Sequence, residues 1–292
     1  MTTITPAPTP AHPGISPGLW ISDFDGTVKP LGGPVSPEDV AAMRRLGELG
    51  AVRAVATGRS IRAFVRDWDP AFGIDYLISS SGLAVSRFGP GGHLDLLSAR
   101  KFTASQASKA IGIAGSAGMG FFLALPPPET HRSFWSRGGG PALSCFEARI
   151  LHSRGDSVPW DGTAGRTLAQ VLVMGEPSRA REAEARFRAE APELSVVVSS
   201  SPYGDGALWI EIYPPGVSKG KAAAALAASL GMSAPDAVAL GNDFNDEDLL
   251  EWAGAAFVSS EAPESLKSRF PSMPPAGRAP LAYVASRLVR GF

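Results

Sequence analysis

Asp23 and Asp25 stand two residues apart in Asp23-Phe24-Asp25-Gly26-Thr27, directly after the apolar run Gly18-Leu19-Trp20-Ile21-Ser22. Two carboxylates at i and i+2 off a strand end, with Gly26 permitting a tight turn, can converge on one point. One can attack as a nucleophile while the other moves protons. Thr57-Gly58-Arg59 follows a second apolar run and offers a hydroxyl and backbone amides at a helix start, a setting suited to anionic oxygen. Lys219 follows Gly216-Val217-Ser218 and opens a helix, where its ammonium is a compact clamp for phosphate. Gly241-Asn242-Asp243-Phe244-Asn245-Asp246 gathers hard oxygen donors of the kind Mg²⁺ takes. Singly, each is ordinary: an Asp-x-Asp-Gly is most often a surface turn, and a lone lysine is usually solvated. Four in this order, each at an expected strand end or helix start, are hard to obtain by chance.

The elements that must position these residues follow from the apolar pattern. Expected strands run over 18–22, Val52–Ala56 and Tyr76–Ile78. They alternate with a helix from Ser36, with Pro37 at its first position and Gly50 as its stop, and a helix around Ile61, Phe64, Val65 and Trp68. Strands alternating with helices predict a parallel, doubly wound sheet, whose ligand site lies beyond the carboxyl ends of its strands. From about residue 85 to 213 the pattern becomes α+β: helices at 103–116 and 178–190, and strands at Phe121–Leu125, Leu168–Met174, 195–199 and 207–213. A Gly- and Pro-rich stretch over 126–141 reads as irregular. The α/β alternation then resumes with a helix at 219–230, strands at Ala237–Leu240 and Ala255–Val258, a helix start at 245–250 and a last helix near 281–290. The expected fold is therefore a Rossmann-like α/β core, 18–84 plus 214–292, interrupted by an α+β cap over 85–213.

Composition narrows the partner. The 292 residues carry 27 Lys plus Arg against 28 Asp plus Glu, a net charge of -1, so no bulk field favours nucleic acid or an anionic membrane. One cysteine, Cys145, excludes an intramolecular disulfide framework and a Cys-rich metal site. No apolar run approaches membrane-spanning length. Five prolines within residues 6–17 read as a flexible tail and not as a targeting signal, and the expected compartment is the cytoplasm.

The ordered motifs resemble the haloacid dehalogenase superfamily in its phosphatase branch. The closest likeness is to its Cof-type subgroup, through Asp23-Phe24-Asp25-Gly26-Thr27, Ala56-Thr57-Gly58-Arg59, Gly216-Val217-Ser218-Lys219-Gly220 and Gly241-Asn242-Asp243-Phe244-Asn245-Asp246. Asp23 and Thr57 lie 34 residues apart and Thr57 and Lys219 162 apart, so the insertion falls where a class IIB cap would. The resemblance implies a HAD-like fold and a Mg²⁺-dependent phosphatase for a small phosphomonoester, most naturally a sugar phosphate. Asp23 would form an aspartyl-phosphate, and Asp25 would serve as general acid and base. Thr57, Gly58 and Lys219 would hold the phosphoryl oxygens. The metal would be held by Asp23, Asp25 and the Asn242, Asp243 and Asp246 motif. Two departures stand out: Asn242 where relatives carry Asp, leaving open whether Asn242 or Asp243 is the ligand, and Ser81 where relatives often carry Asn. The alternatives are a phosphomutase of the phosphomannomutase type and a non-catalytic phosphosugar-binding protein.

Within the expected cap, Arg87, Arg132, Arg137, Arg149, Arg154 and Arg166 are candidates for clamping a second anion, though surface arginines are usually solvated. His93, His131 and His152 show no ligand spacing. Trp135, Trp160 and Trp209 read mainly as core. Cys145 reads as a small buried hydrophobe. Neither the substrate nor the oligomeric state is legible.

Overall fold

Leu19–Ser22 (β1) is buried at all four positions, as a strand must be when helices cover both faces of its sheet. The computed structural model describes residues 18–138, 144–153, 155–163, 165–201, 203–289 and 292. The expected N-terminal tail, Arg154 and the side chain of Cys145 lie outside that description. After β1, Ser36 caps α1 (Pro37–Glu48) by accepting a hydrogen bond from the Asp39 amide, with Pro37 in the first turn. Then come β2 (Val52–Ala56), α2 (Ile61–Asp67), β3 (Tyr76–Ser79), β4 (Ala84–Phe88) and β5 (Leu94–Ala99).

The chain next builds α3 (Ala104–Ser116), β6 (Phe121–Ala124), β7 (Ser133–Ser136), α4 (Ser144–His152), β8 (Ser157–Pro159), β9 (Gln170–Gly175), α5 (Pro177–Glu190), β10 (Ser195–Ser200) and β11 (Leu208–Tyr213). It returns with α6 (Lys219–Ser229), β12 (Ala237–Gly241), α7 (Glu247–Trp252), β13 (Ala255–Ser259), α8 (Glu264–Lys267), β14 (Ser272–Met273) and α9 (Pro280–Leu288).

Two sheets result. The first has the order β14-β13-β12-β1-β2-β3-β4-β5, parallel from β14 to β3 and antiparallel at β4 and β5. The second has the order β10-β11-β9-β6-β7-β8 and is antiparallel except for β7 with β8. Chain order runs outward in both directions from β1, so the gap between β1 and β12 is the topological switch point.

The structure corrects the sequence reading in three places. The first sheet is not wholly parallel, and residues 85–99, assigned to the insertion, pair as β4 and β5 with β3. The physical reason is the turn Ser80-Ser81-Gly82. All three residues have positive φ, reversing the chain at once so that β4 lies back along β3 instead of crossing over. The stretch 126–141 also holds a strand, β7, whose short Ser133–Ser136 run carries too little alternation to read alone.

The second sheet buries one face under α3 and α5 through Phe121, Val171, Val173, Ile210 and Ile212, among others. In α5 only Ala180, Ala183 and Phe187 are buried, while Arg186–Glu190 and Arg188–Glu184 pair at i,i+4 on the outside. The opposite face, carrying Glu211 and Tyr213, looks toward the strand ends of the first sheet, since Glu211 Oε2 lies 3.4 Å from Ser81 Oγ.

Candidate active site

Asp23, Thr57 and Asn242 follow the ends of β1, β2 and β12, three adjacent parallel strands in register at Ser22, Val55 and Leu240. Main-chain bonds extend this ladder: the Asp23 amide donates to Leu240 O (2.8 Å) and the Thr57 amide to Ile78 O (2.8 Å). The three residues thus leave neighbouring strand ends, where the Thr57 hydroxyl accepts a hydrogen bond from the Arg59 amide (3.1 Å). Ser218 caps α6, so Lys219 enters from that helix start.

Lys219 is fully buried, its Nζ 2.7 Å from Asp23 Oδ1 and 2.5 Å from Asp246 Oδ1. Asp246 Oδ2 in turn accepts hydrogen bonds from the Asn242 amide (2.8 Å) and the Asp243 amide (3.1 Å), which shapes the loop after β12. One ammonium thus serves two buried carboxylates. Burial, with Asp246 as a like charge, pushes the Asp23 carboxyl up to about 7 despite the opposing pull of Lys219. The Lys219 ammonium is held well above the ordinary lysine range by Asp23 and Asp246, which overcome its own desolvation.

The other Asp23 oxygen, Oδ2, accepts a hydrogen bond from Thr27 Oγ1 at 2.9 Å. One end of the Asn242 carboxamide faces Asp23 Oδ2 (3.0 Å), the Asp25 main-chain oxygen (3.0 Å) and Thr27 Oγ1 (2.8 Å). The Thr27 proton is already given to Asp23, so all three are acceptors and that end is Nδ2. The amide donor thus stands among the oxygens that a hard cation would take. Gly26, at φ +77°, makes this approach possible: a Cβ there would lie 2.5 Å from an Asn242 side-chain atom.

Other sequence candidates have partners of their own. Asp25 is half exposed, and its carboxylate is gripped by Arg59 through Nε–Oδ2 (2.6 Å) and Nη2–Oδ1 (2.7 Å), while Arg59 also pairs with Asp67. Asp243 accepts hydrogen bonds from Ser200 N (2.8 Å) and Ser200 Oγ (3.2 Å), joining β10 to the loop after β12. Among the described residues no three His, Cys, Asp or Glu side chains cluster as a metal group. The donors that converge are the Asp23 carboxylate, the Asp25 carbonyl and the Asn242 amide. All are hard oxygen groups once Asn242 turns its Oδ1 inward, and this donor set fits Mg²⁺.

Sequence reasoning missed three contributors. Arg59 was read only for its backbone, and nothing in its spacing announces the grip on Asp25. Asn245 lies with its Oδ1 3.4 Å from Lys219. Glu211 accepts hydrogen bonds from Gln170, Ser199 and Tyr213 beneath Ser81, an arrangement only the packed sheets create. Ser81 holds φ +55°, the left-handed region Asn enters most easily among side-chain-bearing residues, so Asn and Ser meet the same backbone demand here.

A strand-end aspartate thus stands beside a buried lysine at the switch point, roofed by a second sheet. The family model of the haloacid dehalogenase-like hydrolases matches residues 153–272, under half of the chain. That match includes Lys219 and the Asn242–Asp246 loop, and the fold joins Asp23 and Thr57 to them. Over 109 residues the chain is 28% identical to a putative phosphatase of Haemophilus influenzae, covering 37% of this chain and 39% of that protein. Over 79 residues it is 34% identical to the HMP-PP phosphatase of Cronobacter sakazakii, covering 27% and 29%. The matched stretches thus span well under half of these relatives. The whole fold is shared with a phosphatase of the superfamily from Bacteroides thetaiotaomicron (TM-score 0.75, 17% identity, 97% and 99% covered). It is also shared with a subclass IIB sugar phosphatase (TM-score 0.73, 13% identity, 92% and 98% covered).

Proposed function

We propose that this protein is a Mg²⁺-dependent phosphatase that hydrolyses a small phosphomonoester, a sugar phosphate or a compound of similar size, through an aspartyl-phosphate on Asp23. The observation that carries this reading is the Asp23–Lys219–Asp246 cluster at the switch point, with Asp25 two residues beyond the nucleophile. Phosphatases among the relatives and among the proteins of like fold support it. Bound Mg²⁺, held by Asp23, the Asp25 carbonyl and Asn242, would neutralise phosphoryl charge and keep Asp23 ionised.

The chain's own residues supply the rest. An Asp23 oxygen attacks phosphorus, and the bond from phosphorus to the leaving oxygen breaks. Asp25 gives that oxygen a proton, then takes one from the water that hydrolyses the aspartyl-phosphate. Free phosphate leaves and Asp23 is restored. Thr57, the Gly58 backbone and Lys219 neutralise and position the phosphoryl oxygens, which is most of what this transfer requires. Asp246 positions Lys219, and Arg59 orients Asp25. Asp243 braces the junction with the second sheet, leaving Asn242 as the ligand from that loop. The second sheet acts as the cap that excludes water and reads the leaving group. No helix among the described residues is long and apolar enough to cross a membrane, in keeping with a small soluble substrate.

The test is phosphate release from p-nitrophenyl phosphate, hexose phosphates and nucleotides with Mg²⁺ or EDTA. Turnover that EDTA stops and Asp23→Asn lowers by about a thousandfold or more is the expected result. Isomer or bisphosphate without free phosphate would identify a phosphomutase instead. Binding of Mg²⁺ and phosphosugar with no turnover would identify a binding protein.

A further inference from the structure

Five of the six arginines named as possible anion clamps are described, and four have carboxylate partners: Arg87 with Asp95, Arg132 with Glu129, Arg137 with Glu147 and Arg166 with Asp161. Arg149 does not. Among the described residues its guanidinium makes no hydrogen bond or ion pair, and its Nε is wholly enclosed without a partner. Its Cζ lies over the rings of Phe122 (4.9 Å) and Trp209 (5.2 Å). The indole N–H groups of Trp209 and Trp135, in the same aromatic cluster, are also unpaired. Trp20 in β1 and Trp68 just after α2 share that condition, so unpaired indoles by themselves point to nothing. An enclosed Nε–H with no acceptor, on a partly exposed guanidinium, is another matter, because arginine keeps its charge in proteins and here has donors left to give.

The location assigns the missing partner. Along β11, Ile210 and Ile212 turn to α3 and α5, so Trp209 and Glu211 share the opposite face. Glu211 touches Ser81, in the turn beside Gly58, and Arg149 stacks on Trp209 about 7 Å along the strand from Glu211. The Glu211 charge acts on Arg149 from nearby, but the Glu211 oxygens are hydrogen-bonded to Gln170, Ser199, Tyr213 and Ser81, so the donors of Arg149 remain free for another acceptor.

We propose that Arg149 binds a second anionic group, a carboxylate or a second phosphate, on the substrate whose scissile phosphate lies at Asp23. This rests on the phosphatase reading and adds the substrate class: phosphomonoesters that carry another negative charge. The Phe122 and Trp209 rings pack against the guanidinium, whose fork of N–H donors suits a two-point contact with an anion.

The test measures equilibrium binding, with Mg²⁺, to the Asp23→Asn protein, so it does not depend on turnover. Two matched pairs are the probes: glycerol 3-phosphate against 3-phosphoglycerate, and glucose 6-phosphate against glucose 1,6-bisphosphate. The first pair isolates a carboxylate and the second a phosphate. The expected result is a preference of roughly 10- to 100-fold for the doubly anionic member of at least one pair. Adding Arg149→Met, which preserves the packing of the stem on the rings, brings that preference to about one. Arg149→Lys keeps the charge without the two-point geometry, retains part of the preference, and serves alone if the Met variant does not fold. Equal or absent binding of both members of both pairs overturns the proposal, as does a preference unchanged in Arg149→Met or Arg149→Lys. Phosphate release by the unsubstituted protein from p-nitrophenyl phosphate separately decides the phosphatase reading.

Discussion

At the scale of single residues, the site is governed by how few cations serve its carboxylates. Asp23 and Asp246 share Lys219, and the Asn242 amide supplies the third positive end at Asp23. Asn242→Asp adds a charge where a donor now stands. It is expected to tighten Mg²⁺ binding about tenfold or more by calorimetry, and to lower the melting temperature of the metal-free protein. Unchanged affinity would remove Asn242 from the ligand set. The pH dependence has a definite sign. With its pKa raised from 3.8 to about 7, Asp23 contributes stability below pH 3.8, where it is protonated folded or unfolded. That contribution is lost as pH rises toward and through about 7. Asp23→Asn stays neutral, so in EDTA its melting temperature should gain on that of the unsubstituted protein from about pH 4 to 8. A gap that stays flat across that range would contradict the burial of an unneutralised Asp23.

At the scale of elements, the β3–β4 turn and the start of α6 are fitted to each other without slack. Gly82 has φ +99°, and a Cβ there would come within 2.2 Å of Ser218 O, the residue that caps α6 ahead of Lys219. Gly82→Ala is expected to cost on the order of 2–4 kcal/mol by chemical denaturation, from backbone strain and displacement of α6 together. It should also lower phosphate release through the displaced Lys219. A loss of under about 0.5 kcal/mol would mean that the turn and helix can move apart freely. The exposed i,i+4 pairs of α5 carry no comparable weight, since such pairs contribute only about 0.3–0.5 kcal/mol.

At the scale of the whole molecule, the second sheet meets the first through the buried apolar cluster of Leu83, Ala169, Tyr213 and Val217 and through polar contacts. Among the described residues the polar contacts include Asp243 with Ser200, Glu211 with Ser81, Ser80 with Thr130, and Arg62 with Asp156. Asp243→Ala removes the acceptor for the Ser200 amide, the shortest of these bonds. Amide exchange at Ser200 and its β10 neighbours should then quicken about tenfold or more, while exchange in β1 and β12 holds. Equal acceleration in both sheets would show that Asp243 supports the first sheet itself and not the junction.

What the sequence determined by itself lay in short-range order. Asp23, Thr57, Lys219 and Asn242 each sit where an apolar run ends or a capped helix begins, and the periodicity of those runs is local. The alternation of strand and helix marked the first sheet for the same reason, as did Ser36 and Ser218 with their helices. Only the tertiary structure decided which groups pair across the chain. Asp25 with Arg59, Asp243 with Ser200, Glu211 with Ser81 and the unpaired Arg149 depend on how two sheets meet, and no local spacing encodes that meeting. β4 and β5 were misplaced for a related reason. Three positive φ angles at 80–82 reverse the chain into an antiparallel edge, and two of the three belong to serines, which do not advertise that conformation as glycine does.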